Sequence, residues 1–185
     1  MARKLNSKEV SIDEYYTPTF YKFIDYRKLE EYYPLIGEFC AIFNSIEDTL
    51  TESLISLTSE VEEIGMIIYA ESSFSQKKII WKKLCFFYSN YMEEKTKLNF
   101  RNDLEKILNE IDEISKIRNT IVHANWEDMN HELFVKSKIR NSNDGIKIQH
   151  ISIDTDEFTR IIDEIAALDL KLIKFTKLID KTQLE

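Results

Sequence analysis

Arg118 and His123 stand five residues apart with Asn119 between them. Arginine carries a permanent charge in a rigid fork of donors that matches phosphate or carboxylate. Histidine gains and loses a proton near neutrality. Leu104, Ile107, Leu108, Ile111, Ile114, Ile121 and Val122 recur at helical spacing, which predicts an amphipathic helix over about 100–124. At 100° per residue, Arg118 falls about 20° from Ile111 and about 40° from both Ile114 and Val122. The spacing therefore predicts an arginine at the centre of a buried stripe. An unpaired buried guanidinium is costly, so a carboxylate, a carbonyl cluster or a water-filled cleft at a subunit boundary must meet it. Asn119 lies about 100° round from Arg118 and His123 about 140° round, and a long arginine could still reach a cleft shared with the imidazole. Read structurally, Arg118 pairs with Glu47 or another core acid, and His123 caps or packs.

The elements that must position these residues are legible as apolar periods. Phe39, Ile42, Phe43, Ile46, Leu50, Leu54, Leu57 and Val61 predict a helix that starts after Pro34. Glu47 borders its apolar stripe, about 60° from Leu50 and Leu54, where it reads as a salt-bridging carboxylate or a site residue. A short helix is expected over 60–70. Ser72 or Ser73 caps the next, with Phe74, Ile80, Leu84, Phe87, Tyr88 and Tyr91 as its inner stripe. Beyond the Arg118 helix the pattern shifts toward alternation, through Leu133, Val135, Ile139, Ile146, Ile148 and Ile151. Asp144-Gly145 between these runs is a hairpin signal, because glycine tolerates the positive φ of such a turn. His131 and His150 flank this hairpin and read as surface residues. Asp154 or Thr155 then caps a last helix whose stripe is Phe158, Ile161, Ile165, Leu168, Leu172, Phe175 and Ile179. The expected organisation is an aromatic-rich N-terminal arm over 1–33, with a short helix near 25–33, followed by one helical domain over 34–185.

Composition narrows the function classes. The chain has 185 residues, 43% of them apolar and 31% charged, with only three glycines and two prolines. So few turn-formers disfavour a many-stranded barrel and favour helix. Gly37, Gly65 and Gly145 lie too far apart to write a phosphate-binding loop. No Cys-x-x-Cys or His-Glu-x-x-His spacing occurs, so no metal site and no cofactor are expected. Cys40 and Cys85 read as reduced core residues of a cytoplasmic protein. No apolar run reaches membrane-spanning length, and the first residues lack the apolar core of a signal peptide. The net charge of −8 repels nucleic acid on average. Phosphate binding would therefore be local, on the Lys-rich stretch that includes Lys77, Lys78, Lys82 and Lys83, or on the basic hairpin. The plain alternative for those lysines is a solvated face.

The run Ile117-Arg118-Asn119-Thr120-Ile121-Val122-His123, followed by Trp126, resembles the signature of the HEPN superfamily of helical ribonucleases: an arginine, often followed by a polar residue, with histidine after four to six further positions. The motif's place near the end of a long amphipathic helix is similar too. So are Asn44, Ser45 and Glu47 on the first helix, the Ser-rich start of the third, and a hairpin with a final helix after the motif. The likeness covers about 36–180, with 117–126 at motif grade. Ala124 stands where many relatives have glycine. Asn125 stands where toxins paired with a nucleotidyltransferase antitoxin often carry tyrosine, so control through that tyrosine is not expected here.

The resemblance implies a mainly α protein: an antiparallel helical bundle of HEPN type with a β-hairpin before the C-terminal helix. It implies a metal-independent endoribonuclease, a toxin or antiviral defence effector, that cuts RNA by attack of the ribose 2′-hydroxyl. His123 would be the general acid/base, Arg118 the phosphate clamp, Asn119 an orienting or phosphate-binding residue, and Glu47 a weaker site candidate. A homodimer would bring two histidines together, and an antitoxin or defence-system protein would be the further partner. The alternative is a non-catalytic HEPN-like dimeric module that binds RNA or acts as an adaptor, with an unrelated helical interaction protein as a third possibility.

Overall fold

The computed structural model describes residues 6–11, 26–123, 127–129, 132–142 and 145–182, with side chains over 30–123 and 153–179. The chain is mainly helical. Its elements in order are β1 (Asn6–Ser11), α1 (Tyr26–Thr58), α2 (Glu62–Tyr69), α3 (Phe74–Ser89), α4 (Glu94–Val122), β2 (Glu127–Met129), β3 (Glu132–Ser142), β4 (Gly145–Ile153) and α5 (Thr155–Thr182). The strands order as β1-β4-β3-β2, each neighbouring pair antiparallel, with Ser142 opposite Gly145 and a register shift between Phe134 and Lys136. Asp144 of the expected Asp144-Gly145 hairpin signal lies outside the described residues. The expected N-terminal arm lies largely outside them as well.

One boundary differs from the sequence reading. A single helix, α1, runs through Pro34 instead of starting after it, and it absorbs the short helix expected near 25–33. The physical reason is the apolar register. Tyr32 is buried seven residues before Phe39, two helical turns upstream on the same face, so the stripe continues past the proline. Pro34 itself is exposed. It removes one backbone donor, and the carbonyl four residues earlier belongs to exposed Glu30, where water can satisfy it.

The chain divides into two compact units. The first comprises Met1–Cys40 and Glu113–Glu164. Its described core gathers Tyr32, Phe39 and Phe158, with the Tyr32–Phe158 ring centres 6.5 Å apart and the Phe39–Phe158 centres 6.1 Å apart. Tyr32 also donates its hydroxyl to the Ile153 carbonyl at 3.4 Å, which ties the start of α1 to the end of β4. Asp154 caps α5, accepting the Glu157 backbone N–H at 2.7 Å.

The second unit comprises Ala41–Asp112 and Ile165–Glu185. Its centre is aromatic: Trp81 meets Phe175 edge-on at 5.9 Å, and Phe100 stacks on Phe175 at 4.7 Å. The indole N–H of Trp81 donates to Ser53 Oγ at 3.0 Å, so its buried polar atom is satisfied. Ser73 caps α3 through a reciprocal capping box with Gln76. The α5 stripe is buried as its spacing predicts, from Phe158 through Ile179.

The inner face of α3 is a correction. Lys77, Trp81, Cys85 and Ser89 form it, at steps of four, whereas Phe87 and Tyr91 of the expected stripe are exposed. Two of the four buried residues are polar, so a count of apolar side chains passes over this face. Each polar member has a partner: Lys77 pairs with Glu47, and Ser89 donates to the Phe86 carbonyl while accepting from Arg101 Nε. Cys40 and Cys85 are free thiols.

Candidate functional site

Arg118, Asn119 and His123 occupy the last turn of α4 and the residue after it, within the first unit. The helix reaches this point through Ile111, Ile114, Ile117 and Ile121, all buried. Two successive steps of three and one of four turn the buried stripe back by about 80° over these ten residues. That rotation corrects the expected burial of Arg118. Ile117 takes the inner position, Arg118 is half-buried beside the stripe, and Val122 is exposed. The apolar stripe thus carries the arginine to the boundary between core and water, where its stem packs and its head is accessible.

The head has a defined neighbour. Arg118 Nη1 donates to the amide oxygen of Asn119 in a long hydrogen bond of 3.4 Å. Both groups lie on the exposed side. His123 is exposed in the turn that ends α4. Being four residues after Asn119, it shares that residue's edge of the helix. An accessible imidazole one turn from a guanidinium–amide pair is a donor-rich, proton-exchanging surface suited to a phosphodiester. Ala124, Asn125 and Trp126, which complete the motif, lie outside the described residues, as do His131 and the side chain of His150.

The remaining sequence candidates lie in the second unit. Glu47, half-buried on α1, accepts from Lys77 Nζ at 3.0 Å. Lys77 is buried, so this pair joins α1 to α3 inside the unit. Lys78 pairs with Asp112 and Lys82 with Glu105, the latter at 3.0 Å. Lys82 also lies 5.7 Å over the Phe86 ring. Lys83 is exposed. Three of the four lysines expected on a phosphate-binding face are thus held by carboxylates of α1 and α4. The sequence reading missed this because the acids are distant in sequence, 23 to 34 residues away from their partners. Helical phase could have found the Lys77 case: Lys77 lies four residues before Trp81, on one helix face.

Arg101 is likewise structural. Its Nε donates to Ser89 Oγ and its Nη2 to Asn90 Oδ1, both at 2.8 Å, and the guanidinium lies over Phe86. It therefore fastens the end of α3 to α4. Among the described residues, no helix is long and apolar enough to cross a membrane. Compared with family models, with curated proteins and with solved structures, the chain has no match.

Proposed function

We propose that this chain is a metal-independent endoribonuclease of the HEPN class, a cytoplasmic toxin or antiviral defence effector that acts as a homodimer. The observation that carries the reading is the disposition of the α4 end: a half-buried Arg118 hydrogen-bonded to Asn119, one turn before an exposed His123. The finer fold belongs to the same proposal: an antiparallel helical bundle of HEPN type with a hairpin before the last helix. The antiparallel register of β3 and β4 supports the hairpin.

The chemistry follows from the residue types. His123 takes the proton of a ribose 2′-hydroxyl as that oxygen attacks the adjacent phosphorus. The bond from O2′ to phosphorus forms, and the bond from phosphorus to O5′ breaks. A proton goes to O5′, from the second imidazole of a homodimer or from water. The products are a 2′,3′-cyclic phosphate and a 5′-hydroxyl. Arg118 faces the charge that builds on the phosphorane oxygens, with donors in fork geometry. Asn119 holds the guanidinium from one side. Glu47 enters as a structural carboxylate, because Lys77 occupies it.

The ion pairs of Lys77, Lys78 and Lys82 favour a second reading, a non-catalytic dimeric adaptor, since they reduce the cationic surface available to RNA. Expressing the chain and its His123→Ala variant in cells, then comparing growth and mapping RNA ends, separates the two. The ribonuclease reading expects growth arrest and new 5′-hydroxyl ends with the parent chain only. The adaptor reading expects no new ends with either.

A further inference from the structure

The strongest feature outside the proposed site is the outer face of α2. Val61, Ile64, Ile67 and Ile68 are all about half exposed or more, with Ile67 76% exposed. They stand at i, i+3, i+6 and i+7, which aligns them along one side of a short helix. The adjoining side of α2 is fixed. A Cβ at Gly65 would come within 2.7 Å of Ile55 Cγ2, so only glycine lets α2 lie this close to α1. Tyr69 is buried and donates to Thr58 Oγ1 at 3.2 Å. Packing of Gly65 and Tyr69 on α1 therefore leaves the adjoining Ile64, Ile67 and Ile68 outward.

Charge says what covers it. Between Tyr33 and Gln76 the chain has eight acidic residues and no lysine, arginine or histidine. Glu60, Glu62 and Glu63 border the start of the apolar face and Glu71 its end, and all four are exposed. RNA and anionic lipid are repelled by such a border. A second copy laid face to face would set acid against acid. A helix with an apolar stripe and flanking lysines or arginines satisfies both the isoleucines and the glutamates.

We propose that the outer face of α2 is a docking site for a cationic amphipathic helix of a partner protein, with Ile64, Ile67 and Ile68 as anchors and Glu60, Glu63 and Glu71 as the charged rim. The site is independent of the ribonuclease reading. A patch of exposed isoleucines of this kind is unusual on a soluble surface unless something binds there.

The test uses the full chain and a synthetic 18-residue Leu/Lys amphipathic helix, followed by fluorescence anisotropy. Two control peptides carry the same leucines with glutamate in place of lysine, or the same lysines with serine in place of leucine. The Leu/Lys peptide is expected to bind and both controls to fail. Ile67→Ser and Glu63→Lys should each weaken binding at least tenfold, and Glu31→Lys, an exposed acid on α1 of the other unit, should leave it unchanged. Circular dichroism on each variant establishes that it is folded. Equal binding by the parent, Ile67→Ser and Glu63→Lys chains overturns the proposal, as does equal weakening by Glu31→Lys, which marks attraction to net charge alone. A dimer in sedimentation that Ile67→Ser dissolves identifies a second copy as the occupant and overturns it too. So does co-sedimentation with anionic vesicles that Ile67→Ser abolishes.

Discussion

Lys77 Nζ lies 3.0 Å from Glu47 Oε1, with the lysine side chain nearly buried and the glutamate about a third exposed. The pair gives both residues a structural contact. A buried ammonium needs its carboxylate, so removing Glu47 strands a charge. Glu47→Ala is expected to lower unfolding stability by about 1–3 kcal/mol in urea titrations. Cleavage per folded molecule should stay within about twofold of the parent. The double variant Lys77→Met, Glu47→Leu should be more stable than Glu47→Ala alone, since no charge is then left unpaired. A large fall in cleavage by fully folded Glu47→Ala would return Glu47 to the catalytic set.

Arg118 gives the converse pattern. Arg118 is half-buried beside the stripe, and its head meets Asn119 on the exposed side. Arg118→Ala should change stability by less than about 1 kcal/mol while lowering cleavage by roughly 10²–10³-fold, the scale of one lost transition-state donor. Arg118→Lys should recover little, because an ammonium lacks the planar fork. Melting curves and cleavage rates on the same samples check both halves. A large loss of stability with a proportional loss of activity would make Arg118 structural.

These two residues also mark where sequence reasoning reached and where it stopped. The α5 stripe, the Ser73 capping box and the Asp154 cap were legible, because each depends on residues within a few positions of one another. Arg118, Asn119 and His123 were legible as a local pattern. The burial of Arg118 is not: the spacing argument holds the buried face in the direction of Ile111 and Ile114, whereas that face turns toward Ile117 and Ile121. Local sequence presents Lys77 as a surface cation because its partner Glu47 lies 30 residues earlier. Pro34 signals a boundary because proline disfavours helix interiors locally, and the distant packing of Tyr32 on Phe158 overrides that preference.

The continuity of α1 through Pro34 has its own consequence. Pro34→Ala restores a backbone donor in mid-helix and removes the ring's clash with the preceding turn. The variant should gain about 1–3 kcal/mol, read as a rise in melting temperature. Had the helix begun at Pro34, the same change would be neutral or unfavourable, because proline suits a first helical turn.

Cys85 is buried on α3, and burial pushes its thiol well above the usual cysteine range. The unfolded chain's thiol ionises above roughly pH 8.5, while the folded one stays protonated. The unfolded state then binds fewer protons, so folding stability falls as pH rises past that point. Cys85→Ala should flatten this alkaline slope in unfolding titrations between about pH 8 and 10. A thiol reagent should label half-buried Cys40 in the native protein and Cys85 only on unfolding.

The proposed role of His123 is proton transfer in RNA cleavage. The most direct measurement is the cleavage rate of a defined RNA by purified parent chain and by His123→Ala, with melting temperature taken on the same samples and product ends mapped. The parent is expected to cleave to 2′,3′-cyclic phosphate and 5′-hydroxyl ends, and the variant to lose at least about 10²-fold in rate at an unchanged melting temperature. Parent-level cleavage by a fully folded His123→Ala protein would contradict it.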